Sequence, residues 1–153
     1  MPLLLASPAF APGGQIPAEY TCSGADISPP LTWSGIPAGA RSLVLVVEDP
    51  DAPSGVFHHW AVYDIPPGAH GLAAGYGPTR PVGGARQTRN DFGGIGYGGP
   101  CPPPGPAHHY RFRLLAISRP TLDLTALASA LDVLRAAQPY IIQQTQLIGT
   151  YQR

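Results

Sequence analysis

His58, His59, His108, His109, Asp49, Asp51 and Tyr110 are side chains of the types that hold a small charged ligand. His108 and Tyr110 close the run GGPCPPPGPAHHY (residues 98–110), in which five prolines fall within thirteen residues before an alternating apolar segment begins. Proline fixes φ and removes a backbone donor, so this stretch is excluded from helix and central strand. It reads as a stiff loop anchored at both ends and suited to a preformed pocket wall. His58 and His59 open a second segment, and Asp49 and Asp51 lie in EDPDAP (residues 48–53), where two prolines stop the preceding apolar run. Alternation along a strand sends neighbours to opposite faces, so at most one of His58 and His59, and one of His108 and His109, faces a shared pocket. His108, Tyr110 and Phe112 share a face, which makes His108 and Tyr110 a natural polar pair. Imidazole N–H groups, a phenol hydroxyl and backbone amides are suitable donors for a phosphate. Asp49 would repel that anion unless it pairs with His59 or with a ligand ammonium. Anion affinity at such a site is expected to rise as the pH falls from about 8 to about 6. Structural roles are open to the same residues: a satisfied strand-end histidine, an Asx-turn at Asp49 before Pro50, a core tyrosine.

The elements that must position these groups are mostly strands. Ser42–Val47 is a continuous β-branched and leucine run suited to burial on both faces. Leu31–Trp33, His59–Ile65, Tyr110–Ile117 and a segment near Leu147–Tyr151 read as further strands. Leu124, Leu127, Leu131 and Leu134 form one helical stripe with Thr125 as its N-cap, ended or kinked by Pro139. Residues 68–109 show almost no period, and their GGIGYGG run lacks the strand-before, helix-after setting of a dinucleotide fingerprint. No internal repeat or boundary divides residues 1–153, so a single domain is expected.

Composition excludes several classes. Charged residues make up 12 % of the 153, and the formal net charge is +0, so no basic stripe supports nucleic-acid binding. All nine cations are arginine, which rules out a lysine Schiff base. The 19 glycines and 20 prolines alternate with strand patterns, and 44 % of residues are hydrophobic, which favours a loop-rich β domain over disorder. The opening MPLLLASP has no positive n-region, no segment reaches transmembrane length, and a cytoplasmic location is expected. Cys22 and Cys101 are too few for a disulfide framework and are expected as reduced thiols, with one long-range bridge as the alternative. No G-x-S-x-G elbow appears, and Pro102 after Cys101 has no N–H to offer an oxyanion hole. No H-E-x-x-H-like spacing supports a metal, and no cofactor is expected.

Asp49-Pro50-Asp51-Ala52-Pro53, His59-Trp60, Gly99-Pro100-Cys101-Pro102-Pro103 and His108-x-Tyr110 occur in that order. Together they resemble the signature segments of the phosphatidylethanolamine-binding protein family. Ser28-Pro29-Pro30-Leu31 and Gly149-Thr150-Tyr151-Gln152-Arg153 are similar to its bacterial branch, the YbhB/YbcL or Raf-kinase-inhibitor-like proteins. The resemblance implies an all-β-dominated antiparallel β-sandwich with one or two short C-terminal helices and a small anion pocket at one end. It assigns the pocket acid to Asp49, the histidines to His59 and His108, and a hydroxyl to Tyr110, with Ala52, Pro53, Gly99 and Pro100 as walls. Asp51, Trp60 and Cys101 complete the carried-over set, Asp51 mainly as a turn-stabilising acid. The chain departs from the family in having His109 where an arginine is common, and Gln138-Pro139 where a Gly-His pair is common. The implied role is binding of a small anion or phospholipid head group of the phosphoethanolamine kind, which carries both charges, with modulation of a kinase or protease partner and homodimer formation. A hydrolase using Asp49, His59 and His108, with or without a metal, is the alternative.

Overall fold

Two antiparallel sheets make up the computed structural model, which describes residues 2–77 and 82–153. Met1 of the opening MPLLLASP, and residues 78–81 of the patternless stretch, lie outside the described residues. In chain order the strands are β1 (Leu4–Ala6), β2 (Leu31–Ser34), β3 (Ser42–Asp49), β4 (Phe57–Ile65), β5 (Gly71–Leu72), β6 (Arg86–Gln87), β7 (His108–Ile117) and β8 (Ile141–Tyr151). A helix, α1 (Ala130–Ala137), precedes the last. The small sheet has the order β1-β2-β5 and the large one β6-β4-β3-β7-β8.

The large sheet is covered on both faces, which explains the unbroken apolar run of β3. Leu43, Leu45, Val47, Trp60, Val62, Phe112 and Leu114 pack toward Leu5, Leu31 and Trp33 of the small sheet. Val44, Val46, Ala61, Tyr63, Leu115 and Ile117 pack the other way, onto Ala130, Val133 and Ala137 of α1. Each large apolar side chain so buried contributes about 1.5–3 kcal/mol. Strands β4, β7 and β8 begin earlier than their apolar runs, at Phe57, His108 and Ile141. Their polar ends are held by pairing, as in His108 opposite Tyr151, and pairing leaves no trace in hydrophobic pattern.

The β3–β4 register slips between Val47 and Glu48. Val47 faces Trp60 and Glu48 faces His58, so His59 is an extra residue in β4. Such a bulge breaks strict alternation and re-aims a side chain. Trp60 enters the core between the sheets, while His59 turns to the same side and sets its ring edge-on to Tyr110, 5.4 Å away.

The helix differs from the expected leucine stripe. Ser129 rather than Thr125 is its N-cap: the Ser129 hydroxyl accepts from the Asp132 amide at 3.1 Å, and the Asp132 carboxylate accepts from the Ser129 amide at 3.0 Å. Two reciprocal bonds satisfy two of the free amides at the helix start, where a lone threonine would satisfy one. The buried face is then Ala130, Val133 and Ala137, and Leu127 is 68 % exposed. Pro139 lies in a 3-10 turn, Gln138–Tyr140, that feeds β8 directly.

The cysteines also correct an expectation. Cys22 and Cys101 form a disulfide across 79 residues of sequence rather than standing as thiols. The Cys22 amide donates to the Pro100 carbonyl at 3.1 Å, so backbone pairing of the two loops brings the thiols together.

Candidate functional site

Three neighbouring strands end at the same edge of the large sheet. Asp49 closes β3, His59 is the bulge residue of β4, and His108 and Tyr110 open β7. These side chains line a recess of about 390 Å³. Ala52, Pro53 and Val56 from the β3–β4 turn form one wall, and Cys101, Pro102 and Pro103 another. Pro53 stiffens the first wall, and Pro102, Pro103 and the disulfide at Cys101 hold the second.

Asp49 is 4 % exposed, and its two oxygens do different work. Oδ1 accepts from the Asp51 amide at 2.8 Å, folding the Asx-turn, while Oδ2 accepts from His108 Nδ1 at 2.7 Å. The pairing of Asp49 with His59 weighed from sequence is therefore replaced by pairing with His108. The bulge is the reason: it turns His59 Nδ1 toward the Gly98 carbonyl, 2.6 Å away. A carbonyl only accepts, so Nδ1 carries the proton and the neutral ring leaves a lone pair on Nε2. Burial lowers the pKa of His59 below the usual histidine range. Rings of Phe57 and Phe92 stand 4.8 Å and 5.4 Å from it.

Tyr110 is fully buried, and its Oη has no hydrogen-bond partner among the described residues. Burial first, and the Asp49 charge second, push its hydroxyl well above the usual phenol range, so it stays protonated. An unpaired buried donor beside an imidazole lone pair invites a ligand that satisfies both.

Of the remaining carried-over residues, Asp51, Trp60, Gly99 and Pro100 stand around the recess rather than in it. Asp51 Oδ2 accepts from the His109 amide and from His109 Nδ1, both at 2.8 Å, which ties the turn to β7 and keeps the Asp51 carboxyl below its usual range. His109 points outward, as alternation requires. Trp60 is core, and its indole N–H donates to Gln87 Oε1 at 2.7 Å. Gly99 and Pro100 lie behind the wall: the Gly99 amide donates to Asp26 Oδ1 at 2.8 Å. A Cβ on Gly99 would lie 2.3 Å from the Tyr20 carbonyl oxygen, so only glycine allows this approach. Cys101 itself lines the recess.

Sequence reading missed Asp91 and Phe92, which line the recess from within the patternless stretch. Their signal was Asn90, whose Oδ1 accepts from the amides of Phe92 at 3.0 Å and Gly94 at 3.3 Å. It also missed Glu48 on the opposite face, a buried carboxylate bound by Arg111 at 2.8 Å and Arg113 at 3.2 Å, with His58 Nε2 at 3.5 Å. Burial alone would raise the Glu48 carboxyl, but the His58 contact and the two arginine charges overcome it and hold it at about 2. Among the described residues, no three His, Cys, Asp or Glu side chains gather as metal ligands, and no helix is long and apolar enough to cross a membrane.

Residues 6–152 match the family model described as phosphatidylethanolamine-binding protein. A UPF0098 protein of Methanothermobacter thermautotrophicus is 47 % identical over 146 residues, covering 95 % of this chain and 95 % of its own. The crystal structure of Escherichia coli YbcL, a member of the mammalian PEBP family, superposes with a TM-score of 0.95 at 32 % identity, covering 100 % of this chain and 99 % of that one. CT736 of Chlamydia trachomatis superposes with a TM-score of 0.89 at 39 % identity, covering 99 % and 98 %.

Proposed function

This chain belongs to the phosphatidylethanolamine-binding protein family, and from that premise we propose that it binds a small phosphate-bearing ligand, of the phosphoethanolamine kind, in the recess. Family membership supports a ligand-binding role in general. The observation that carries the finer reading is the convergence of Asp49, His59, His108 and Tyr110 on one recess. Fixed walls lower the ordering cost of capturing a ligand with few atoms.

Calorimetric titration of phosphate and phosphoethanolamine tests it. Wild type is expected to bind saturably, and His59→Ala and His108→Ala to lose at least about ten-fold in affinity, the scale of one charge-assisted hydrogen bond. Absence of binding to wild type would overturn the reading. The pH expectation is sharpened by burial of His59. Its ring charges only below the ordinary value near 6.5, so its share of the affinity gain comes at the acid end of the range from about 8 to about 6 or below it. Affinity flat down to about pH 5.5 would remove charging of the His59 ring from the binding role.

The rim, with Phe92 and Val56 exposed beside the recess, is the surface proposed for a kinase or protease partner. Capture that depends on Asp49 or His59 supports this, and capture indifferent to them places the contact elsewhere. The homodimer belongs to the same proposal, checked by sedimentation. So does the cytoplasmic location, which requires the Cys22–Cys101 bridge to survive cellular reductants. Thiol trapping in fresh lysate reads that directly.

A hydrolase is the second reading, favoured by the 2.7 Å Asp49–His108 contact, since a carboxylate so placed orients an imidazole as a general base. Phosphate release from an aryl phosphate, lost in His108→Ala, would decide for it.

A further inference from the structure

We propose that the recess selects an oxyanion that brings its own hydroxyl, a singly protonated phosphomonoester or inorganic phosphate, and discriminates against phosphodiesters. This deepens the binding reading above and rests on it. Both Asp49 oxygens are engaged, one by the Asp51 amide and one by His108. His59 Nδ1 is committed to the Gly98 carbonyl, which leaves Nε2 as an acceptor. Among the described residues Tyr110 Oη is buried without a partner, and its proton is available to donate. His108, its Nδ1 held by Asp49, adds a second Nε2 acceptor when its ring is neutral, so the recess sets unmet acceptors beside an unmet donor, with the His59 and Tyr110 ring centroids 5.4 Å apart.

A phosphodiester anion carries acceptors alone at its phosphorus. It can receive the Tyr110 hydroxyl, but its oxygens would meet the His59 lone pair unless that ring gained a proton. The surroundings resist this: Phe57 and Phe92 wrap the imidazole, and burial disfavours its charge. A singly protonated monoester offers P–OH to His59 Nε2 and a phosphoryl oxygen to Tyr110 Oη, so both bonds form.

Charge agrees with this pattern. The charged and titratable groups around the two rings are Asp49 from β3, Asp51 from the β3–β4 turn, Asp91 from its loop, His108 from β7, and Arg153 with Tyr151 beyond β7. Three carboxylates face one arginine and one histidine, an environment that disfavours a doubly charged phosphate more than a singly charged one. Sites that leave a buried polar group unpaired reject the wrong analogue strongly, by factors far above those of shape alone.

The test compares phosphoethanolamine with glycerophosphoethanolamine by calorimetry on the full chain at about pH 6, near the second ionisation of a phosphomonoester. The monoester is expected to bind at least about ten-fold tighter, and its affinity to fall about ten-fold per pH unit well above that ionisation. Tyr110→Phe is expected to lose at least about ten-fold in monoester affinity while keeping the wild-type circular dichroism spectrum. Free phosphate and vesicles containing phosphatidic acid present the same chemistry from a soluble and a lipid source. Binding to either supports the inference, and the tighter one identifies the source. Equal affinity for monoester and diester would overturn this inference while leaving the binding reading intact. Binding of neither would overturn both.

Discussion

Among the described residues the buried Tyr110 hydroxyl has no partner, a condition unfavourable by about 1–3 kcal/mol. Tyr110→Phe removes that oxygen and little else, so the ligand-free variant is expected to gain about 1 kcal/mol in urea unfolding. A loss would mean that the hydroxyl is satisfied in solution. The neighbouring histidines make opposite pH contributions. His58 is raised by its Glu48 contact, so its stabilisation is complete below about 6.5 and is lost as the pH rises through the higher folded value. Glu48, held at about 2, stabilises above its unfolded value near 4.3, and that share is lost as the pH falls toward 2. Buried His59 is lowered, so the unfolded state takes up its proton first and stability declines as the pH drops below about 6.5. Subtracting the melting profile of Glu48→Gln from that of wild type isolates the Glu48 cluster. The difference is expected to reach about 3 kcal/mol between roughly pH 4.3 and 6.5 and to shrink on both sides. A difference independent of pH would deny the cluster its charge. The residues that line the recess were legible from the sequence as motifs beside proline-locked loops, although each also had a structural use, as the Asx-turn at Asp49 shows. Their pairing was not, because Asp49 meets His108 through a register that no spacing reveals.

Elements were legible where one physical cause dominated. The β3 run demanded burial on both faces, and both faces are covered. The helix was misread because two causes competed: four leucines at helical spacing, and a capping box that starts later. The box won, leaving Leu127 in solvent and small residues against the sheet. Ser129→Ala is accordingly expected to destabilise the protein by about 1 kcal/mol in chemical denaturation. Thr125→Ala should be nearly neutral, and the reverse ranking would restore the leucine stripe. The bulge in β4 has no sequence signature of its own, since His58, His59 and Trp60 look like an ordinary alternation. It is nonetheless the element-scale cause of the site, because it lets one strand deliver a pocket histidine and a core tryptophan to the same side.

At the scale of the whole molecule, a large sheet is clamped between a small sheet and a helix, and the open strand ends carry the chemistry. The Cys22–Cys101 bridge spans 79 residues and joins an early loop to the proline-rich wall. A loop of that size, when cross-linked, restricts the unfolded chain by an amount equivalent to about 4 kcal/mol. The paired Cys22→Ser, Cys101→Ser variant is expected to lose about 2–4 kcal/mol of stability and to bind ligand more weakly, since one wall of the recess is no longer tied down. Unchanged stability would mean that backbone bonds such as Cys22 to Pro100 hold the loops unaided. The bridge was only half legible, because two distant cysteines suggest a pairing but the loops that bring them together follow no period. The bulge also has a meaning counted in codons. Removing the three nucleotides that encode His59 would set His58 and Trp60 side by side, opposite the Glu48 and Val47 they already face, in regular pairing. On the binding reading proposed above, a homologue one residue shorter at that position would keep Asp49, His108 and Tyr110 and lose the pocket histidine of β4.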